Sequence, residues 1–390
     1  VLNYVPQPVD VAFVPEKING LLGTELSREE MISLLGRLSF QVEGDVLHVP
    51  QWRTDIHCMA DVAEEVARMY GYDKIPVTMF KGATAQGGYT DGQKKRNLTG
   101  SICRGMGYSE ILTYSFGSPS MFDLIRLPQD SPLRNVIRII NPLGEDTSIM
   151  RTTTLPCMME TLSRNNAYRN KAAKLYELAK VYLPQGGEDL PREDMILTLG
   201  TYGASETFFT LKGEVEAILR ALNAQARSYT AVTDNPSYHP GRCAKLTVGG
   251  VDVGVFGQVH PLVAANYGID SEVYCAELNF TTLLTLLAPE NVYHPLPRFP
   301  AVERDIAVVC DEGLTVAEVE ACIQSAGGKL LRKVKLFDVY RGKGIPQGKK
   351  SLAFALELRA EDRTLTDSDS ESVMTAILEK LESALGAVLR

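Results

Sequence analysis

Hydrophobic and polar positions alternate along this chain in blocks of helical and strand spacing, and the blocks predict most of its elements. Ser27-x-x-Glu30 has the form of a capping box, and Met31, Leu34, Leu35 and Leu38 follow on one helical face. Residues 40–50 alternate around Glu43-Gly44-Asp45, which predicts a hairpin. From Asp61 to about Tyr70, the apolar residues Val62, Val66, Met69 and Tyr70 recur at i, i+4, i+7 and i+8, the stripe of an amphipathic helix. That stripe assigns Asp61, Glu64, Glu65 and Arg68 to the opposite face, with Asp55 one short loop upstream. Two or three helices with a small β wing predict a winged-helix-like domain over 1–76. Residues 77–87 carry no periodicity and read as a linker.

The stretch 88–287 mixes both periods. Thr90-x-x-Gln93 caps a predicted helix carrying Leu98 and Ile102, and residues 109–116 and 136–140 read as strands. A helix follows Pro156. Strand-like runs cover 174–183 and 195–202, and Val215, Ile218, Leu219 and Leu222 mark another helix. Residues 245–248 and 251–256, joined by Gly249-Gly250, predict a hairpin. Hairpin-like succession of strands points to an antiparallel sheet of α+β type. Prolines 289, 295, 297 and 300 punctuate a second linker at 288–297. In 298–390 the order is strand 304–310, a helix with Val316, Val319, Ile323 and Ala326, strands 333–340 and 350–358, a helix capped by Thr366-x-x-Asp369, and a last short strand at 387–390. That is β-α-β-β-α-β, a ferredoxin-like arrangement.

Composition narrows the function classes. At 390 residues the chain predicts two to four domains, and its 45% apolar and 23% charged content is that of a soluble globular protein. A formal net charge of −8 argues against a surface that grips nucleic acid everywhere, so any such contact is local. No apolar run approaches the ~18 residues of a membrane span. Seven scattered cysteines without a C-x-x-C pair read as reduced core thiols of a cytosolic protein, with no zinc site. The start at Val1, close to a strand-like segment, reads as a piece of a longer polypeptide.

Two clusters carry candidate chemistry. Asp55, Asp61, Glu64 and Glu65 offer oxygen ligands to a hard cation. The same acids also suit a helix N-terminus, with Glu64 paired to Arg68 at i+4. Between Lys329 and Lys350 lie eight basic residues, Lys329, Arg332, Lys333, Lys335, Arg341, Lys343, Lys349 and Lys350, opposed only by Asp338. Phe337 and Tyr340 among them offer stacking surfaces to an unstacked base. Strict alternation would split Lys333, Lys335, Phe337 and Val339 from Val334, Leu336, Asp338 and Tyr340, so only one set faces RNA. Arg151 reads as a structural arginine before a Pro-initiated helix. His239 and His260, each followed by proline, read as turn residues at strand ends.

In order along the chain, three groups of motifs resemble the bacterial phenylalanyl-tRNA synthetase beta-chain family over its C-terminal half. The first joins Arg53-x-Asp55-Ile, Asp61-x-x-Glu64-Glu65-Val-Ala-Arg68 and Tyr70-Gly-Tyr-Asp-x-Ile-Pro76. The second joins Asn141-Pro142-Leu143-Gly-Glu145, Met150-Arg151-Thr-Thr-Thr-Leu155-Pro156 and Leu175-Tyr176-Glu177-Leu178. The third joins Arg298-Phe299-Pro300, Arg304-Asp305, Leu336-Phe337-Asp338-Val-Tyr340, Arg363-Thr364-Leu365-Thr366-Asp367 and the closing Leu389-Arg390.

The resemblance implies a Mg²⁺ held by Asp55, Asp61, Glu64 and Glu65 at the boundary with a catalytic alpha chain. It implies a class II synthetase-like module over 88–287 without catalytic residues, and a ferredoxin-fold anticodon-binding domain over 298–390. In that domain the tRNA-contacting patch is Lys333, Lys335, Tyr340, Arg341, Lys343, Lys349 and Lys350. The implied function is the non-catalytic beta subunit of a cytoplasmic phenylalanine–tRNA ligase, an α₂β₂ heterotetramer that attaches phenylalanine to tRNA(Phe) using ATP. The family's oligonucleotide-binding-like and editing domains have no counterpart pattern here, so this piece alone neither edits nor aminoacylates. The chain has Glu177-Leu178-Ala179 where the family shows Glu-x-Gly. The rival expectation is a free-standing nucleic-acid-binding or scaffold protein.

Overall fold

The computed structural model describes residues 7–80, 82–186, 190–289, 293 and 295–390. The chain divides into two compact units, Val1–Thr90 and Asp91–Arg390. The first contains β1 (Val9–Ala12), α1 (Pro15–Leu22), α2 (Arg28–Gly36), β2 (Gln41–Glu43), β3 (Val46–Val49) and α3 (Met59–Tyr70). The antiparallel sheet runs β1-β3-β2, so the expected hairpin lies beside the N-terminal strand. Ser27 and Glu30 close the predicted capping box on α2. Phe13, Ile18, Met31, Leu35, Leu47, Val62 and Val66 form one core, which ties all three helices to the wing.

The second unit begins with α4 (Asp91–Gly105), β4 (Ser109–Glu110), β5 (Phe116–Gly117), α5 (Met121–Leu124), β6 (Ile149–Met150) and α6 (Leu155–Ala167). Then come β7 (Ala173–Leu183), β8 (Arg192–Tyr202), α7 (Phe208–Ala221), β9 (Arg227–Ala231), β10 (Tyr238–Val248) and β11 (Val251–Val259). This part ends with α8 (Pro261–Asn266), β12 (Val273–Asn279) and α9 (Phe280–Thr285). Seven strands form one sheet in the order β4-β7-β8-β12-β11-β10-β9, antiparallel except for the β4–β7 pair.

Both faces of this sheet are covered, and the side-chain alternation explains how. On one face Tyr176, Leu197, Leu199, Phe256 and Leu278 meet Leu211, Val215, Ile218 and Leu219 of α7. On the other, Leu175, Tyr202, Val273 and Cys275 meet Met158, Met159 and Leu162 of α6. Gly200 on β8 permits the close approach of α6: a Cβ there would lie 2.5 Å from Met158 Cγ and Sδ.

The chain ends in β13 (Val302–Asp311), α10 (Val316–Gly327), β14 (Leu331–Tyr340), β15 (Lys349–Leu358), α11 (Asp367–Leu385) and β16 (Val388–Leu389). The sheet order β14-β15-β13-β16 and the element order are those predicted for a ferredoxin-like fold. Ile306, Val308, Leu352, Phe354 and Leu356 face Val319, Ile323, Ile377 and Leu381 of the two helices.

Two strand expectations require correction. Residues 109–116 hold only the two-residue β4 and the start of β5, because Thr113 is recruited by a side chain, its N–H donating to Glu177 Oε1 at 2.6 Å. Residues 136–140 make a single bridge between Arg138 and Ile149, not a strand. A few of their apolar residues pack locally, Val136 against Met121, Phe122 and Ile149 and Ile111 against the α6 face of the sheet, while Leu112, Tyr114 and Ile140 stay exposed.

Candidate metal centre and nucleic-acid interface

The carboxylate cluster is built by α3 and the loop before it. Asp61 occupies the third position of the helix, and its Oδ2 accepts the N–H groups of His57 at 2.8 Å and Cys58 at 2.9 Å. Those bonds hold its carboxyl below the usual range. Arg53 grips Asp55 with two prongs, Nε to Oδ1 at 2.9 Å and Nη2 to Oδ2 at 2.6 Å. This pair pushes the Asp55 carboxyl down to about 2. Arg53 Nη1 also reaches Glu65 Oε2 at 2.9 Å, which Arg68 Nη2 approaches at 2.6 Å. The Arg53 bond is the largest influence lowering the Glu65 carboxyl, and it outweighs the opposing effect of burial.

The helical-wheel assignment needs two changes. Glu65 is buried beside Val62 and Val66 rather than on the solvent face, because paired arginines compensate its charge there. Arg68 pairs with Glu65 at i−3, not with Glu64 at i−4. Glu64 is exposed and makes no ion pair among the described residues.

The donor chemistry suits Mg²⁺, since all four side chains offer carboxylate oxygen. Their arrangement does not. Arg53 lies between Asp55 and Glu65 and supplies the positive charge a cation would bring, while Asp61 is committed to backbone N–H groups. Among the described residues, no three His, Cys, Asp or Glu side chains converge on one point.

The basic patch is shaped by an irregularity that the alternation did not anticipate. In β14 the pairing with β15 slips between Leu336 and Asp338, leaving Phe337 as a bulge. Val334 and Leu336 then face the helices, opposite Leu356 and Phe354, while Val339, paired with Leu352, stays exposed. Lys333, Lys335, Asp338 and Tyr340 are opposite Glu357, Ala355, Ala353 and Ser351, on the face without helices. The bulge thus joins Tyr340 to the two lysines that strict alternation had separated from it. The Arg390 guanidinium lies 5.0 Å from the Tyr340 ring centre, a neighbour the sequence gave no sign of.

The remaining patch residues divide. Lys343 is exposed. Arg341 donates to Glu312 Oε1 at 2.7 Å, and Lys349 pairs with Asp311 at 3.0 Å. Lys350 is buried, and its ammonium donates to the Glu312 carbonyl at 2.8 Å. Arg341, Lys349 and Lys350 are therefore partly or wholly engaged within the fold, and the Tyr340 hydroxyl donates to the Lys343 carbonyl at 3.3 Å.

In the seven-stranded module several polar groups are spent on the fold itself. Arg151 is buried and donates to Lys180 O at 2.8 Å and Thr113 Oγ1 at 2.7 Å, as expected of a structural arginine. Glu277 on β12 caps the start of α6, accepting from Thr154 N at 3.0 Å and Leu155 N at 3.1 Å. His239 and His260 accept backbone N–H groups two residues on, through Nδ1, as turn residues do. All seven cysteines are free, with Cys58 the one exposed among them.

Comparison with known proteins supplies a class first: three tRNA synthetase modules in sequence. The tRNA synthetase B5 domain matches residues 11–72, the phenylalanyl tRNA synthetase beta chain CLM domain 75–280, and the ferredoxin-fold anticodon binding domain 297–390. The chain belongs to the phenylalanyl-tRNA synthetase beta-chain family. It is 44% identical over 96% of its length to the phenylalanine–tRNA ligase beta subunit of Clostridium acetobutylicum, of which it covers 48%. The corresponding figures for the Clostridium tetani protein are 45%, 96% and 48%, and for that of Moorella thermoacetica 39%, 98% and 49%. The chain thus spans about half the length of the curated relatives it matches. A pyrrolysyl-tRNA synthetase of Desulfitobacterium hafniense aligns over 50% of this chain and 68% of its own, at 13% identity and a TM-score of 0.43.

Proposed function

We propose that this chain acts as a non-catalytic part of a phenylalanine–tRNA ligase, assembling with a catalytic alpha chain and positioning tRNA(Phe) while that partner uses ATP to attach phenylalanine. The reading rests above all on the packing of α6 across one face of the seven-stranded sheet. Met158 and Leu162 fill the space over Gly200, and Arg151 is buried and spent on backbone and side-chain bonds, so neither that part of the sheet nor that guanidinium is open to an adenylate. Family membership favours this reading over a free-standing nucleic-acid-binding protein.

Under this proposal the assembly is the α₂β₂ heterotetramer of the cytoplasm, and the winged-helix-like unit meets the alpha chain. Lys333, Lys335, Tyr340 and Lys343 contact tRNA directly, while Arg341, Lys349 and Lys350 shape the surface they stand on. Mg²⁺ bound by Asp55, Asp61, Glu64 and Glu65 belongs to the proposal in a narrower form: Arg53 must first release Asp55 and Glu65.

The test combines the chain with the alpha chain and tRNA(Phe). A heteromeric complex should elute from a size-exclusion column, and the chain alone should give no phenylalanine-dependent pyrophosphate exchange. Exchange by the isolated chain, or no complex, would sink the proposal. Calorimetric titration with Mg²⁺, with and without the alpha chain, checks the metal separately. Heat only in the complex is expected, and Asp61→Ala with Glu64→Ala should weaken association with the alpha chain at matched Mg²⁺.

A further inference from the structure

Away from the surfaces already assigned, a cavity of about 550 Å³ opens where the N-terminal turn of α7 meets strands β9, β10 and β12. Phe208, Phe209, Tyr229 and Tyr274 line it. Phe208, Phe209 and Tyr229 belong to a continuous aromatic cluster. Phe208 stacks on Phe256 with ring centres 5.5 Å apart, and Tyr229 meets the same ring edge-on at 5.9 Å. Phe209 stands edge-on to Phe208 at 5.5 Å and is 77% exposed, an aromatic wall with one face in solvent.

At one end of the cavity the chemistry becomes ionic. Arg242 Nη1 donates to Glu272 Oε1 at 2.9 Å and to Gln258 Oε1 at 2.8 Å. Tyr274 OH donates to Glu272 Oε2 at 2.6 Å. The two charged side chains are 49% and 56% exposed, so a ligand reaches both. Among the described residues Arg242 Nη2 and Nε donate no hydrogen bond, so three N–H donors remain, and the Nε–Nη2 edge offers two of them side by side to a carboxylate. Each Glu272 oxygen still has a lone pair for an ammonium.

This end is neutral overall, which disfavours a simple anion or cation: either would meet a like charge next to the opposite one. A molecule carrying both charges satisfies the pair. Offset or edge-on stacking against the cage favours a planar ring. We propose that this cavity binds a small zwitterionic aromatic molecule, of the aromatic amino-acid class, with its carboxylate on Arg242, its ammonium on Glu272 and its ring among Phe208, Phe209, Tyr229 and Tyr274. The site lies on the face of the sheet opposite α6, and the assignment is independent of the ligase reading above.

Isothermal titration calorimetry on the 390-residue chain tests it, with L-phenylalanine as the probe. Saturable binding is expected. 3-Phenylpropanoate, phenethylamine and L-leucine each lack one element of the match and should bind about tenfold more weakly, a loss of roughly 1.4 kcal/mol. Phe209→Ala and Arg242→Gln change exposed side chains and should each weaken L-phenylalanine binding about tenfold, with the thermal midpoint retained. Phe209→Tyr, which keeps the ring, should restore it. No saturable heat up to about 10 mM, equal binding of L-leucine, or unchanged affinity in both variants would overturn the assignment.

Discussion

Replacing Arg53 by Ala would strip Asp55 of its bidentate partner and leave the buried Glu65 carboxylate, 7% exposed, to Arg68 alone. Uncompensated buried charge is costly, and partial compensation by Arg68 limits the loss to about 2 kcal/mol. Urea unfolding followed by circular dichroism should show that loss in the first unit. Arg68→Ala should leave the midpoint nearly unchanged, because its side chain is half exposed and Arg53 remains. Equal effects of the two substitutions would contradict the division of labour. Mg²⁺ should bind more readily to the Arg53→Ala chain, since the competing cation has gone. The acids of this segment were legible in sequence; that arginines hold three-body contacts with them was not. Helical periodicity assigns faces, yet it cannot report that Arg53, twelve positions before Glu65, folds back to make its burial tolerable.

Elements offer sharper tests of packing. Gly200→Ala places a methyl against Met158 on α6 and should cost about 1–3 kcal/mol through overpacking. Met158→Ala by itself opens a cavity and should cost about 2–5 kcal/mol. Combined, the two should cost less than their sum, because the new methyl occupies part of the vacated space; additive effects in a thermal-denaturation cycle would count against direct contact. In the ferredoxin-like part, α11 begins with a capping box in which Thr366 Oγ1 and Asp369 serve each other's backbone N–H groups. The bonds from Thr366, helped by Arg363, hold the Asp369 carboxyl below its ordinary value. A group depressed in the folded state stabilises it above the unfolded pKa, and that contribution fades as pH falls through the folded value. The thermal midpoint should therefore drop below roughly pH 4, and Asp369→Asn should flatten that part of the profile. A parallel, equally steep profile in the variant would exclude this cap as a cause. Capping boxes such as these are local, which is why Ser27, Glu30, Thr366 and Asp369 could be placed from sequence. The two misplaced strands failed for the opposite reason, since a strand exists only where another strand accepts it.

At the scale of the molecule, a net charge of −8 requires any grip on RNA to be local, and the surface proposed for it is the patch beside β14. Lys333→Ala and Lys335→Ala should each reduce the slope of log K against log salt for tRNA(Phe) by roughly one, the signature of a lost phosphate contact. Lys350→Ala should leave that slope unchanged and lower thermal stability instead, because its ammonium is tied to the Glu312 carbonyl inside the fold. A loss of slope on Lys350→Ala would return it to the contact surface. No helix among the described residues is long and apolar enough to cross a membrane.

The order of motifs and the β-α-β-β-α-β succession by themselves determined the family and the ferredoxin-like ending, because both are properties of residues near each other along the chain. Periodicity likewise put Met31 and Leu35 of α2 and Val215, Ile218 and Leu219 of α7 in the core. Only the tertiary structure decided three matters, each a question of distant partners. The bulge at Phe337 arises from pairing with β15 and turns Tyr340 toward Lys333 and Lys335. The reach of Arg53 to Asp55 and Glu65 replaces an open set of carboxylates with neutralised ones. The aromatic cavity draws its walls from α7, β9, β10 and β12, which no local pattern connects.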